Sequence, residues 1–171
     1  MKGASLMSKL ATAGLVVALC LLAAMGGLLA AYTQLAHEDF EENITVSKEG
    51  TTTSTVAVHD LALLPAASRT YTVHLRCKAS GTYRVSLVYE EKENGGLKPF
   101  VNVTLKAKDE IVWNGTLQAL LDSDVNLNFL AELQAEDAYD VQITYDMPQE
   151  IGNEAKDTFA DFDVHFTIEK E

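Results

Sequence analysis

The chain carries four histidines, and their spacing decides which chemistry they could support: His37, His59, His74 and His165. No H-E-x-x-H sequence places two of them on one helical face, as a zinc protease requires. His74 and His165 fall on the polar sides of two alternating segments. They would form a metal pair if those segments paired as strands; otherwise both are solvated.

Two carboxylates accompany one of these histidines, because Asp161 and Asp163 lie on the same side of their segment as His165. Calcium would require six or more oxygen ligands from a closed loop, and the sequence has no D-x-D-x-D-G loop. We therefore predict no metal and no other cofactor. The weak candidates for a metal site are His74, His165, Asp161 and Asp163.

Motifs for nucleophilic or phosphate chemistry are missing from the sequence. There is no G-x-S-x-G, and Cys77 lies on the apolar side of its segment, where it would pack as a small hydrophobe. The pair Gly95-Gly96 is not followed by Lys, so it predicts a turn rather than a phosphate loop. The sequence therefore predicts a protein that is not an enzyme.

An apolar run, Leu10–Tyr32, follows Lys2 and Lys9, and no charged side chain occurs between Lys9 and His37. Basic residues before an apolar stretch are typical of an export signal, although about 20 residues would also span a bilayer. Two interpretations remain: a cleaved signal at 1–30, cut between Ala30 and Ala31, or an uncleaved anchor. Either places residues 31–171 outside the cytoplasm, secreted or at the cell surface, with membrane contact only through residues 10–32.

The charge supports this division of the 171-residue chain. All 25 acidic residues lie after position 30, with 11 of the 13 basic ones, which gives the exported part a charge of 11 minus 25, or −14. A surface without a basic patch does not bind phosphate backbones, so we predict no nucleic-acid partner.

The remainder predicts an all-β fold. Residues 31–50 are polar and acidic and indicate an arm or spacer, with Ile44, Thr45 and Val46 as its most strand-like part. From residue 51 to 171 apolar and polar residues alternate with period two, most clearly in 70–77, 81–91 and 161–168. Gly-containing sequences predict the turns, among them Asn94-Gly95-Gly96 and Asn114-Gly115.

Seven to nine such strands indicate an antiparallel β-sandwich, jelly-roll or Ig-like, preceded by the hydrophobic signal helix. We expect Tyr71, Tyr83, Phe162 and Phe166 to dominate its core. One short helix is predicted, at 117–121 (LQALL).

Two stretches resemble one family. The export segment ends GGLLAAYTQ, and the chain ends MPQEIGNEAKDTFADFDVHFTIEKE; both are similar to the TasA/camelysin family of Gram-positive secreted biofilm-matrix and surface proteins. The resemblance implies processing by an ER-type signal peptidase after Ala30 and a jelly-roll domain. It also implies assembly into fibres, in which a strand of one copy (here Ile44-Thr45-Val46) pairs with the sheet of a neighbour. Pro65-Ala66 departs from the family's Pro-Gly.

Three functional hypotheses follow. The first is an exported, non-enzymatic structural protein of the cell surface or biofilm matrix, whose partners are further copies of itself or a related matrix subunit. The second is a membrane-anchored monomeric binding module. The third is a metalloprotease of the camelysin type, for which the sequence supplies no motif.

Overall fold

A computed structural model of the chain describes residues 37–122 and 125–171, and it describes side chains from residue 39 onwards. The predicted signal helix and the cleavage site at Ala30 and Ala31 lie outside these ranges. Among the described residues, no helix is long and apolar enough to cross a membrane. Residues 36–171 form one compact unit.

Nine strands make up most of this unit. In chain order they are β1 (His37–Val46), β2 (Thr51–Leu61), β3 (Ser68–Cys77), β4 (Gly81–Gly95), β5 (Asn102–Ala107), β6 (Glu110–Thr116), β7 (Leu127–Leu133), β8 (Ala138–Asp146) and β9 (Phe159–Lys170). The predicted helix is confirmed as α1 (Leu117–Leu121), and Thr116 caps it by accepting a hydrogen bond from the Ala119 amide. Single 3-10 turns cover Lys98–Phe100 and Asn153–Ala155.

The strands form two sheets. One has five strands in the order β1-β3-β8-β5-β6, and the other has four in the order β2-β9-β4-β7. This confirms the all-β, sandwich-like architecture, while the choice between jelly roll and Ig-like stays a prediction. The pairing is not wholly antiparallel, because β1 runs parallel to β3.

The core lies between the two sheets and follows the alternation of the sequence. In β9 every second residue from Ala160 to Ile168 is buried, and the residues between them are partly exposed. The four predicted core aromatics are all buried: Tyr71, Tyr83, Phe162 and Phe166. Among the described residues the core contains no buried charged residue, so hydrophobic burial is the main stabilising contribution.

Two glycines predicted to make turns lie in strands instead. Gly95 is the last residue of β4 and pairs with Phe159, and a Cβ there would come within 2.4 Å of the Phe159 ring. Gly115 lies in β6, where a Cβ would meet the Trp113 ring at 2.7 Å. Gly95 is required because a Cβ would also lie 2.5 Å from the Phe159 backbone carbonyl oxygen, whereas at Gly115 it is the Trp113 ring that covers the backbone. A close approach to the backbone is a common reason for a glycine within a strand.

The prediction of a separate arm at residues 31–50 is wrong for the part that the structure describes. Residues 37–46 form a strand of the five-stranded sheet, and the compact unit begins at Ala36, well before residue 51. Acidic residues interrupt the alternation here, and an edge strand tolerates them because most of its side chains face solvent.

Candidate functional site: the β1 edge strand

Strand β1 lies at one edge of the five-stranded sheet. It pairs with β3 in continuous register from His37 opposite Ser68 to Val46 opposite Cys77. All other strand pairs in the described part of the chain are antiparallel. Parallel neighbours cannot be joined by a hairpin, so the chain leaves β1, passes through β2 in the other sheet and returns as β3. Strand β1 therefore pairs with β3 without a hairpin that connects the two strands directly.

Two side chains anchor the end of β1 in the core. Ile44 is 5% exposed and Val46 is 2% exposed, whereas Thr45 between them faces solvent. Burying two such aliphatic side chains contributes about 1.5–3 kcal/mol each. The predicted assembly strand, Ile44-Thr45-Val46, is thus the part of β1 most firmly held.

In the first half of β1, which pairs with β3 through its backbone, one side chain packs on an aromatic residue of the neighbouring strand. From Asp39 to Asn43 every residue is exposed, but the Phe40 ring stacks on Tyr71 with centroids 4.8 Å apart. The Arg69 guanidinium lies 5.4 Å from the centre of the same ring, within the range of a cation–π contact.

A short connection joins β1 to the rest of the domain. It consists of Ser47–Gly50, in which the Ser47 amide donates to Thr52 Oγ1 at 2.8 Å and Gly50 has a φ of +78°. Besides β3, β1 also contacts β2. Removing β1 would uncover the hydrogen-bonding edge of β3 and the core beneath it, which is the acceptor geometry for an added strand.

Two of the histidines belong to this edge: His37 is the first residue of β1, and His74 lies opposite Asn43 in the register of β1 on β3. His74, on the outer side of β3, bonds through Nδ1 to Asp140 of β8 at 2.7 Å. His165 lies on the outer side of β9, in the other sheet. The condition for a metal pair of His74 and His165 is not met, because β3 and β9 belong to different sheets and do not pair.

The two predicted aspartates also separate. Asp161 bonds to His59 of β2, at 3.0 Å between Oδ1 and Nδ1. Asp163 instead joins His165 and Glu90, and ligand atoms of these three residues lie within 4.8 Å of one another. Sequence reasoning missed Glu90, because it enters only through the register of β4 against β9.

A cavity of about 600 Å³ lies at one end of the sandwich. It lies between the β2–β3 and β8–β9 connections, and its lining is more apolar than polar: Ala62, Leu63, Leu64, Pro65, Gly152, Asn153, Ala155, Lys156, Asp157 and Thr158. No histidine or cysteine lines it. Cys77 is buried elsewhere and donates to the Gln134 carbonyl at 3.4 Å.

Comparisons with known proteins add little to this geometry. No family model matches the chain, and no curated protein does. Among solved structures, a periplasmic inhibitor of g-type lysozyme from Aeromonas hydrophila aligns with 78% of this chain and 100% of its own, at 10% identity and a TM-score of 0.36.

Two other structures align similarly. The CUB1-EGF-CUB2 domains of rat MASP-1 align over 74% of this chain and 42% of their own, at 10% identity and a TM-score of 0.35. The pre-peptidase C-terminal domain of a Bacillus anthracis collagenase aligns over 75% and 96%, at 10% identity and a TM-score of 0.28. Likenesses this remote carry no argument about function.

Proposed function

We propose that this chain is an exported, non-enzymatic β-sandwich of the cell surface or extracellular matrix, whose copies assemble by exchanging β1. The observation that carries the proposal is the parallel docking of β1 on β3 at the sheet edge. The export segment and the −14 charge of residues 31–171 support a location outside the cytoplasm. The resemblance of GGLLAAYTQ and the closing segment to TasA/camelysin proteins supports a matrix role.

Exchange costs little contact energy. When β1 of one copy occupies the β3 edge of the next, the same hydrogen bonds form, and Ile44 and Val46 enter the same core positions. What changes is the path of Ser47–Gly50, which must extend, and the entropy of association. Because the donor and acceptor surfaces differ, the contact is head-to-tail and produces an open filament unless the rotation closes a ring.

The test compares two forms of the domain. Residues 36–171 should form oligomers as concentration rises, measured by light scattering and electron microscopy, whereas residues 49–171 should stay monomeric. A peptide of residues 37–48 should bind the shorter form and should also stop growth of the longer form by capping its β3 edge. Assembly that is undiminished in the shorter form would rule out strand exchange.

A membrane-anchored monomeric binding module is the second candidate, and the cavity between residues 62–65 and 152–158 favours it. Cavities of roughly 300–1,000 Å³ with apolar walls are typical of ligand sites. N-terminal sequencing of the exported protein separates the candidates. A start at Ala31 would show cleavage by a signal peptidase, whereas a Met1 start in the membrane fraction would support the anchor.

A further inference from the structure

The outer face of the four-stranded sheet carries a group of metal-ligating side chains that the strand-exchange proposal does not use. Glu90 of β4 lies opposite Asp163 of β9, and His165 lies two residues further along the same side of β9. The Nε2 atom of His165 is 2.8 Å from Glu90 Oε2. Three side chains from two adjacent strands thus converge on one point.

A positively charged side chain, that of Lys92, already lies beside the two carboxylates of this group. The Lys92 ammonium lies 2.8 Å from Glu90 Oε1 and 3.2 Å from Asp163 Oδ2. Hydrogen bonds with Lys92 lower the pKa of Glu90, and those with Glu90 and Asp163 raise the pKa of Lys92. The two carboxylates are therefore arranged to stabilise positive charge between them.

A residue outside the group fixes the imidazole. The Nδ1 atom of His165 is 3.0 Å from the Thr55 hydroxyl of β2, which sets the ring orientation and turns Nε2 towards Glu90. Metal-bound histidines in proteins are held in the same way, with the second ring nitrogen hydrogen-bonded to a neighbour.

We infer that Glu90, Asp163 and His165 bind a divalent transition metal of the Zn²⁺ type, for which the Lys92 ammonium competes. One imidazole nitrogen with two carboxylates is a donor set that suits zinc better than calcium or magnesium, which prefer oxygen alone. Tetrahedral zinc places its ligand atoms about 3.3 Å apart, given bonds of about 2.0 Å. Rotation of the exposed Glu90 carboxylate, with a smaller rotation of the partly buried Asp163 carboxylate, would close the observed span of up to 4.8 Å to that value.

Binding requires two displacements. The metal takes the place of the hydrogen bond between His165 Nε2 and Glu90 Oε2. The Lys92 side chain must swing away into solvent, which its 41% exposure permits. The site does not involve β1, so its test is independent of strand exchange.

The experiment titrates ZnCl₂ into untagged residues 36–171 at pH 7.5 by calorimetry. Wild type should bind one ion per chain. Lys92→Met keeps the apolar stem but removes the competing charge, and should bind about three- to tenfold more tightly, the effect of losing two exposed ion pairs. His165→Ala and Glu90→Gln should each weaken binding by at least about tenfold.

His74→Ala is the matched control. His74 also bonds to a carboxylate of the adjacent strand, that of Asp140, but it lies in the other sheet. This variant should leave zinc affinity unchanged. The inference fails if neither wild type nor Lys92→Met shows saturable binding, or if binding survives His165→Ala and Glu90→Gln. It fails equally if Lys92→Met binds no more tightly than wild type.

Discussion

The ring of Phe40 lies nearly parallel to the ring of Tyr71, with 4.8 Å between centroids and 14° between planes. Tyr71 in turn meets Tyr145 edge-on at 5.9 Å. This stack links the exposed half of β1 to the aromatic core. It also fixes the register of β1 on β3 at the end opposite Ile44 and Val46.

Replacing Phe40 by Ala should loosen this half of β1. We expect the free energy of unfolding to fall by about 1 kcal/mol, the value of an aromatic pair beyond its buried area. Hydrogen exchange should rise at the amides of β1. Leu130→Ala, at a 61% exposed position of β7, is the control and should change stability by less than about 0.5 kcal/mol. Equal effects of the two variants would contradict the anchoring role of Phe40.

A second prediction concerns the turn between β2 and β3. The Ala67 amide donates to the Leu64 carbonyl at 2.9 Å, so Pro65 and Ala66 are the central residues, and Ala66 has a φ of +64°. A left-handed conformation is costly for alanine, so Ala66→Gly should stabilise the domain by about 0.5–1 kcal/mol in denaturant unfolding.

Its control is Ala119→Gly in α1, where the backbone is helical. That change should destabilise by about 0.5–1 kcal/mol. Destabilisation by both glycines would show that the turn does not strain Ala66.

The third prediction concerns two hydroxyls in the core. Tyr145 donates to Tyr89 across the sandwich at 3.4 Å, and burial raises the pKa of both phenols. Tyr89→Phe leaves the Tyr145 hydroxyl without this partner, so it should cost about 1 kcal/mol or more. Changing both residues to Phe should cost no more than the single change. A double variant whose loss equals the sum of both single losses would contradict the coupling.

The fourth prediction is a pH dependence at Glu90. Its folded-state pKa is lowered from 4.5, chiefly by the hydrogen bond from Lys92. The stabilisation is therefore present above about pH 4.5 and is lost as the pH falls through the lowered value. For Lys92, whose pKa is raised from 10.5, stabilisation is present below pH 10.5 and is lost as the pH rises through the raised value.

Denaturant unfolding at pH 7 and pH 3 tests the predicted loss of stability in acid that Glu90 causes. Glu90→Gln should lose less stability than wild type over that interval, because its side chain does not titrate. A loss as large as in wild type would mean that Glu90 contributes nothing to the acid dependence.

Much of the sandwich could be predicted from the sequence because its inner strands have one buried and one wet side. Strands β3 and β9 show this alternation directly, and Tyr83 and Phe166 are buried as it requires. Strand β1 could not be predicted in full, because an edge strand exposes both sides along much of its length. Its parallel partner is β3, which begins 22 residues after β1 ends. The local sequence of β1 does not reveal a partner at that distance.

The candidate metal site was only half predictable. Asp163 and His165 share a side of one strand and are two residues apart, so local alternation places them together. Glu90 and Lys92 join them across more than 70 residues through the register of β4 on β9, which local periodicity does not contain. For the same reason Gly95, which allows the close approach of Phe159, was predicted to be a turn.

The most direct test of strand exchange is a cross-strand disulfide between Thr45 and Arg76. These residues are exposed and face each other in the register of β1 on β3. Neighbouring strands lie about 4.8 Å apart, within the Cα range for a disulfide, about 4.4–6.8 Å. The variant of residues 36–171 is Thr45→Cys, Arg76→Cys and Cys77→Ala, oxidised after incubation at high concentration.

We predict a ladder of covalently linked chains on a non-reducing gel, with the Thr45→Cys to Arg76→Cys bond joining different chains by mass spectrometry. Mixing the two single-cysteine forms, each also carrying Cys77→Ala, should give the same heterodisulfide dimer. If every bond in the double-cysteine form is within one chain, and the mixture yields no such dimer, then β1 stays in its own sheet and the assembly account is wrong.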